Sequence, residues 1–112
     1  MSQITTHILD TTKGKPAKGV TIVLYSGSND EWTEMARGVT DADGRITGLL
    51  KKESLLPFGI YKLRFETKDY FDMHQVPTFY PFVEIIVDIS TQEHYHIPLL
   101  LNPYGFSTYR GS

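Results

Sequence analysis

The sequence contains no cysteine, and this absence excludes several kinds of chemistry. Without thiols, the chain has no disulfide framework, no thiolate nucleophile and no zinc site built on cysteine ligands. A sequence free of cysteine also fits a reducing compartment. With thiols excluded, the four histidines become the main candidates for acid–base or metal chemistry.

The sequence also has no excess of positive charge and no long apolar run. Its 11 Lys and Arg residues are interspersed with 13 Asp and Glu residues, so the formal net charge is −2. This balance offers no basic footprint for nucleic acid or for an anionic membrane. The apolar runs are too short to span a bilayer, and no basic segment with an apolar stretch follows Met1. We therefore expect one soluble domain, residues 1–112, with no nucleic-acid or membrane partner.

Short segments rich in β-branched and aromatic residues, separated by turn signals, dominate the sequence. They predict eight strands, at about 3–10, 20–26, 32–40, 45–47, 59–67, 82–89, 93–101 and 104–110. A Gly-, Pro- and Lys-containing segment, 11–19, is predicted to be a loop, and Asp41-Ala-Asp-Gly44 a turn. The one predicted helix covers about residues 68–75, and Pro77 ends it. Eight short strands at this spacing indicate an all-β antiparallel sandwich.

Alternation of apolar and polar residues predicts which strand faces point inward. Tyr61, Leu63 and Phe65 share the inner face of one strand. In the strand at 93–101, the inner face carries Tyr95, Ile97, Leu99 and Leu101, so His94 and His96 fall on the opposite face. Both imidazoles are therefore predicted to lie outside the core.

An imidazole outside the core is available as a general base or as a metal ligand. If the first and seventh strands are neighbours in one sheet, His7 and His96 can lie side by side. Taken singly, however, a histidine on a strand surface is most often inert. The His94-x-His96 pair offers no third or fourth zinc ligand nearby, and Asp41 and the turn after it lack the remaining calcium ligands of an EF-hand. We therefore predict no metal site.

Other single features also have simple structural interpretations. Arg45, which follows a turn, is by default a solvated residue, and Arg110 near the chain end is by default disordered. Ser112 has no G-x-S-x-G context, so a serine-hydrolase interpretation is weak. The end of the sequence is nevertheless unusually rich in recognition chemistry, because a guanidinium, a hydroxyl and a terminal carboxylate lie within a few bonds of each other. They belong to the tetrapeptide Tyr109-Arg110-Gly111-Ser112.

Four motifs gain weight when they are taken together: Ile4-Thr-Thr-His7-Ile-Leu-Asp10, Asp43-Gly44-Arg45, His94-Tyr-His96-Ile-Pro-Leu-Leu and the tetrapeptide Tyr109-Arg-Gly-Ser112. In combination they resemble the transthyretin-like family, and within it the enzymatic branch that hydrolyses 5-hydroxyisourate. The resemblance covers the whole chain. The tetrapeptide is its most specific part, since it separates the hydrolases from the hormone carrier.

The resemblance implies a prealbumin-like sandwich of two four-stranded antiparallel sheets with one short helix between the fifth and sixth strands. It further implies a homotetramer, a dimer of dimers, in which one sheet of each dimer lines a central channel. The active sites would lie at the dimer–dimer interface, and the tail would form one wall of each site.

For the site, the resemblance implies catalytic residues His7, Arg45, His96 and Ser112. It implies substrate contacts by His7, Arg45, His96, Tyr109, Arg110 and Gly111. An imidazole would take a proton from the attacking water, and Arg45 would stabilise the developing oxyanion. The order in which His7 and His96 act stays open, as does a chemical role for Ser112. No metal or organic cofactor is expected.

Two other functions are possible on the same scaffold. A carrier of the transthyretin type would bind a small aromatic ligand, such as thyroid hormone, in the channel, but an apolar ligand would meet polar His7, Arg45, His96 and Arg110 there. A purely structural sandwich module would have no reason to carry the tetrapeptide. We expect a cytoplasmic location, with the peroxisome as the alternative because animal members of the family are often found there.

Overall fold

The computed structural model describes residues 2–112, which form eight strands and one helix. The strands are β1 (Ile4–Asp10), β2 (Lys15–Pro16), β3 (Thr21–Ser28), β4 (Glu31–Val39), β5 (Gly59–Phe65), β6 (Val83–Ile89), β7 (Tyr95–Asn102) and β8 (Gly105–Thr108). The helix, α1, covers Thr67–Met73 between β5 and β6. Among the described residues, no helix has both the length and the apolar character needed to cross a membrane.

The strands form two four-stranded sheets, in the orders β2-β1-β7-β8 and β4-β3-β5-β6. This arrangement confirms the predicted sandwich with one short helix. It corrects one detail, because β1 and β7 pair in parallel while the other pairs are antiparallel. Strands joined by a hairpin must be antiparallel, but β1 and β7 are far apart in sequence and no hairpin fixes their direction.

The strand predicted at 45–47 is not formed, and β2 is the fourth strand of the first sheet. Only Arg45 of the expected strand at 45–47 pairs with β1, through a single bridge to His7. The edge position belongs to β2, which lies in the segment predicted to be a loop and pairs with the end of β1. The chain after Arg45 enters a series of turns, so the contact cannot extend into a ladder.

The core lies between the two sheets and uses the inner faces that alternation predicted. Leu63 and Phe65 of β5 and Leu99 of β7 are fully buried, and Tyr61, Tyr95 and Ile97 are nearly so. Along β1, buried and half-buried residues alternate over all seven positions. The outer face of the β2-β1-β7-β8 sheet therefore presents half-buried side chains, among them His7 and His96.

The short helix covers one end of this core, and its bounds are close to the predicted 68–75. Tyr70 and Phe71 are its buried aromatic residues. The helix ends when Gln75 adopts a φ of 58°, which lets the backbone N–H of Val76 donate to the Phe71 carbonyl at 2.9 Å. Pro77 then prevents any continuation.

One buried polar pair ties the helix to the strand that carries His7. The Asp10 carboxylate is only 2% exposed and accepts a hydrogen bond of 2.8 Å from the Tyr70 hydroxyl. The backbone N–H groups of Thr12 and Lys13 also donate to Asp10. Burial, and then the neighbouring carboxylate, raise the pKa of Tyr70, so its hydroxyl remains a donor.

We expect Tyr70→Phe to lower the free energy of unfolding by about 1–3 kcal/mol, because the buried Asp10 carboxylate loses a donor. Tyr104→Phe is the matched control, since Tyr104 is 67% exposed. Urea denaturation of both variants at the same protein concentration measures the difference. Equal stability of the two variants would show that the Asp10–Tyr70 bond contributes nothing.

Candidate active site

The parallel register of β1 and β7 brings the predicted histidines together on the outer face of their sheet. Thr5 lies opposite His96, and His7 lies opposite Pro98. In a strand, residues two apart share a face, so Thr5 and His7 project from the same side of β1. His7 and His96 therefore lie on neighbouring strands and on one face of the sheet, offset by two residues along the strands. We expected them to lie close together if the first and seventh strands were neighbours, and these strands are.

A tight loop carries Arg45 to the same face. The Asp41 carboxylate accepts hydrogen bonds from the backbone N–H groups of Asp43 at 2.8 Å and Arg45 at 3.1 Å. Gly44 has a φ of 73°, and its carbonyl accepts a bond of 2.9 Å from the Ile8 N–H. A Cβ at Gly44 would overlap the Ile8 carbonyl oxygen, so only glycine lets the loop approach β1 this closely.

The tail runs along β7 and is attached to it by a backbone bridge. The backbone N–H of Gly111 donates to the His96 carbonyl at 2.8 Å, which forms an isolated antiparallel bridge. A Cβ at Gly111 would lie 2.7 Å from Cδ2 of His96, closer than two carbon atoms can pack. Glycine at this position therefore lets the tail pass directly beside the catalytic candidate.

These elements surround a cavity of about 480 Å³. Arg45, His96 and Ser112, all of them predicted site residues, line it. His7 borders the same region through its bridge to Arg45, and Gly111 through its bridge to His96. The structure thus brings five of the seven predicted site residues to one place.

The side chains of Tyr109 and Arg110 lie in a different part of the structure from the His96 cavity. They line a second cavity of about 390 Å³ at the edge formed by β6 and β8. The Arg110 guanidinium lies 4.3 Å from the centre of the Tyr95 ring and 3.5 Å from the Glu93 carboxylate. Within one chain, neither side chain lines the cavity that contains His96, and their substrate contacts remain predictions.

The His96 cavity is also lined by polar residues that were not predicted from the sequence to belong to the site. They are Thr5, Thr6, Asp41, Asp43, Thr47 and His94. Thr5 Oγ1 lies 2.8 Å from Nε2 of His94 and 2.8 Å from Nδ1 of His96. His94 is not among the predicted site residues, although its i,i+2 spacing from His96 places it on the same face of the strand. No pattern in the sequence singled out Thr5.

The environment of His96 favours its neutral form. Burial lowers the pKa of His96 below the ordinary 6.5, and the nearby positive charge of Arg45 lowers it further. His94 and His7 act in the same direction, whereas a hydrogen bond with the Thr5 backbone opposes the shift. His96 is therefore neutral at pH 7 and has a free site to accept a proton.

Residues 2–112 contain no group of three or more His, Asp or Glu side chains arranged to hold a metal ion. The predicted absence of a metal stays a prediction. What the described arrangement supplies is a neutral imidazole, a guanidinium and hydroxyl groups around one cavity, which is equipment for acid–base and oxyanion chemistry.

Comparison with known proteins identifies the family. The HIUase/Transthyretin family model matches residues 4–111. The chain belongs to the HIUase/Transthyretin family. The family match contains both strands of the central pair, the Arg45 loop and the tail as far as Gly111.

Several relatives within this family are named as hydrolases. A 5-hydroxyisourate hydrolase of Salmonella typhimurium is 46% identical over 110 residues, which cover 97% of this chain and 80% of that protein. The 5-hydroxyisourate hydrolase of Mus musculus is 40% identical over 114 residues, covering 99% and 96%. A probable 5-hydroxyisourate hydrolase of Schizosaccharomyces pombe is 46% identical, covering 97% and 90%.

Solved structures of both family branches share this fold. Sea bream transthyretin in complex with thyroxine has a TM-score of 0.91 and 33% identity, covering 98% of this chain and 95% of its own. Klebsiella pneumoniae 5-hydroxyisourate hydrolase has a TM-score of 0.86 and 38% identity, covering 97% and 98%. Since carrier and hydrolase have the same backbone, the side chains at the site must distinguish them.

We expect the pKa of His96 to lie below 6.5, because burial and Arg45 both oppose its protonation. Arg45→Gln should raise this pKa toward 6.5, whereas Arg37→Gln, on β4 of the other sheet, should leave it unchanged. NMR titration of the His96 imidazole measures this pKa in the wild type and in both variants. Any activity that needs neutral His96 should fall only as the pH drops through this lowered pKa. A wild-type pKa at or above 6.5 would contradict the proposed environment.

Proposed function

We propose that this protein hydrolyses 5-hydroxyisourate to 2-oxo-4-hydroxy-4-carboxy-5-ureidoimidazoline in the breakdown of urate. The observation that carries the proposal is the convergence of Arg45, His96 and Ser112 on one cavity, with His7 at its border. The hydrolase names of relatives at 40–46% identity support it. The substrate is a planar, oxygen-rich bicyclic compound, and its six-membered ring opens when water attacks a carbonyl and a C–N bond breaks.

His96 acts as the general base in this mechanism. Its lowered pKa keeps the imidazole neutral at pH 7, so it can take a proton from the attacking water. Arg45, exposed at the cavity, holds the carbonyl oxygen and stabilises the negative charge that develops on it. Water attack therefore produces a tetrahedral intermediate between these two side chains.

Collapse of that intermediate breaks the C–N bond and requires a proton on the leaving nitrogen. His7, on the strand beside His96, is the proposed donor. The Ser112 hydroxyl lines the same cavity and positions either the water or the substrate. Tyr109, Arg110 and Gly111 complete the proposed substrate contacts, with Gly111 also holding the tail against His96.

The proposed site is completed by assembly into a homotetramer, a dimer of dimers. Arg45, His94 and Ser112 are exposed in the single chain, so the cavity lacks a cover of its own. A second subunit facing this sheet would exclude water and strengthen the electrostatic contacts. The family resemblance supports this arrangement, with active sites at the dimer–dimer interface.

A carrier function on the same fold is the alternative, and the similarity to a thyroxine-bound transthyretin keeps it relevant. Binding sites for aromatic ligands are mostly apolar, with few polar groups. The cavity described here carries a guanidinium, two imidazoles and two carboxylates, which make it too polar for such a ligand, and its guanidinium suits the carbonyl oxygens of the proposed substrate. Tight binding of thyroxine, together with no hydrolysis, would favour the carrier.

We propose a cytoplasmic location, with the peroxisome as the alternative. The absence of cysteine is compatible with either reducing compartment. Fluorescence microscopy of the protein fused to a fluorescent domain at an internal loop would decide between them, because both chain ends then stay free.

The purified protein should accelerate the decay of freshly generated 5-hydroxyisourate, followed by ultraviolet absorbance. His96→Ala should lower kcat about 10²- to 10⁴-fold, or roughly 3–5 kcal/mol in barrier, because the general base is lost. The same substitution at His74, beside the end of α1 and away from this cavity, is the control and should leave kcat unchanged. Wild-type decay no faster than in buffer would refute the proposed function.

Removal of residues 109–112 should abolish the same activity, because Gly111 and Ser112 leave the cavity. The truncated chain keeps all eight strands and should still assemble, which light scattering measures. Full activity in the truncated tetramer would remove the tail from the mechanism. A monomeric wild-type protein would count against the interface site and favour a purely structural module.

A further inference from the structure

We propose that Thr5 and His94 form a relay behind His96, which passes the positive charge that His96 gains from the attacking water to the exposed ring of His94. This inference rests on the proposed hydrolase function. Neither residue needs to touch the substrate, so both are positioning residues that act through His96. The proposal comes from a single hydroxyl that lies between two imidazole rings.

The hydroxyl of Thr5 contacts both rings at the same short distance. Its Oγ1 is 2.8 Å from Nδ1 of His96 and 2.8 Å from Nε2 of His94. The two rings are nearly parallel, with an interplanar angle of 25° and centres 6.3 Å apart. A hydroxyl has one proton to donate and two lone pairs that accept, so Thr5 can donate to only one ring, and the other ring must then donate to Thr5.

This restriction couples the tautomers of the two histidines. When Nδ1–H of His96 donates to Thr5, the Thr5 hydroxyl donates to Nε2 of His94. Nε2 of His96 is then unprotonated and can act as the base. In the opposite arrangement Nε2–H of His94 donates to Thr5, which donates to Nδ1 of His96, and Nε2 of His96 carries the proton.

The relay follows from this geometry once His96 has taken a proton from water at Nε2. The Nδ1 proton of His96 moves to Oγ1 of Thr5, and the hydroxyl proton of Thr5 moves to Nε2 of His94. The Nδ1–H bond of His96 and the O–H bond of Thr5 break, while a new O–H bond forms on Thr5 and an Nε2–H bond forms on His94. Thr5 therefore ends with one hydroxyl proton, as it began. The positive charge has moved from His96 to His94, which can release its Nδ1 proton to water. His96 regains the basic tautomer when its Nε2 proton leaves through the cavity and the two hydrogens shift back, with His94 taking a proton from water.

The charges around the two rings favour this direction. Burial, Arg45 and His7 all disfavour a cation on His96. His94 is exposed, so water can solvate its charge, and the Glu93 carboxylate precedes it in the chain. The Arg110 guanidinium, which donates to the His94 backbone carbonyl at 3.5 Å, opposes a cation on His94, but it is itself 3.5 Å from the Glu93 carboxylate. Asp41 and Asp43 line the cavity that both rings share and stabilise a cation on either ring. The more buried ring thus accepts the proton, and the exposed ring takes over the positive charge.

The test compares variants that remove the hydroxyl or the terminal acceptor. Thr5→Val keeps the branched shape but has no hydroxyl, Thr5→Ser keeps the hydroxyl, and His94→Gln cannot take up a proton. Thr5→Val and His94→Gln should each lower kcat roughly 10- to 100-fold, a part of the acid–base contribution, with little change in KM. Thr5→Ser should retain most of the activity. The double variant should be no slower than either single one, because both changes interrupt one path.

Matched controls lie outside the site. Thr33→Val changes an exposed threonine on β4, and His74→Gln an exposed histidine beside α1; both should keep wild-type kcat. Wild-type kcat in Thr5→Val or in His94→Gln would overturn the relay. A loss in Thr5→Ser as large as that in Thr5→Val would also overturn it, because packing and not the hydroxyl would then be responsible.

A second measurement needs no substrate and separates this inference from the proposed function. Nitrogen-15 NMR of the imidazoles should show complementary protonation of His94 Nε2 and His96 Nδ1 in the wild type, lost in Thr5→Val and kept in Thr5→Ser. Independent tautomers in the wild type would overturn the relay even if the enzyme is active. A wild-type protein with coupled tautomers but no hydrolysis would refute the function and leave the coupling in place.

Discussion

The parallel pairing of β1 with β7 is the constraint on which the rest of the site depends. It sets Thr5 opposite His96 and His7 opposite Pro98 on the outer face of one sheet. Because side chains alternate across a sheet, a slip of one residue would turn β1 over and bury its polar face in the core. Burial of Ile4 and Ile8, both fully inaccessible, fixes the register and so fixes the site.

Two glycines then bring distant parts of the chain against this pair. Gly44 lets the Arg45 loop approach β1 where any Cβ would meet the Ile8 carbonyl, and Gly111 lets the tail pass beside the His96 ring. Each contact is a single backbone bridge, not a ladder. The site is thus assembled from a rigid strand pair and two short attachments, which leaves its side chains free to face a cavity.

The chemistry resides in these side chains and not in the fold. A transthyretin with bound thyroxine and a 5-hydroxyisourate hydrolase both superimpose closely on this backbone. What gives this chain its proposed reactivity is a partly buried imidazole beside a guanidinium, which holds His96 neutral at pH 7. The Thr5 hydroxyl adds a route by which the positive charge gained by His96 can pass to His94.

The sequence by itself determined the sandwich, the inner faces of β5 and β7 and the position of the helix, because alternation and Pro77 act over a few neighbouring residues. Through motifs it also led to the prediction of His7, Arg45 and His96 as site residues. Only the tertiary structure decided the parallel β1–β7 direction, the pairing of Lys15–Pro16 in place of residues 45–47, and the second cavity at Tyr109 and Arg110. The contact of Thr5 with both imidazoles was likewise set only in three dimensions. Apart from the local pairing of β2 with β1, these features join residues about 90 positions apart or depend on which side a tail turns, and no local pattern encodes such long-range geometry.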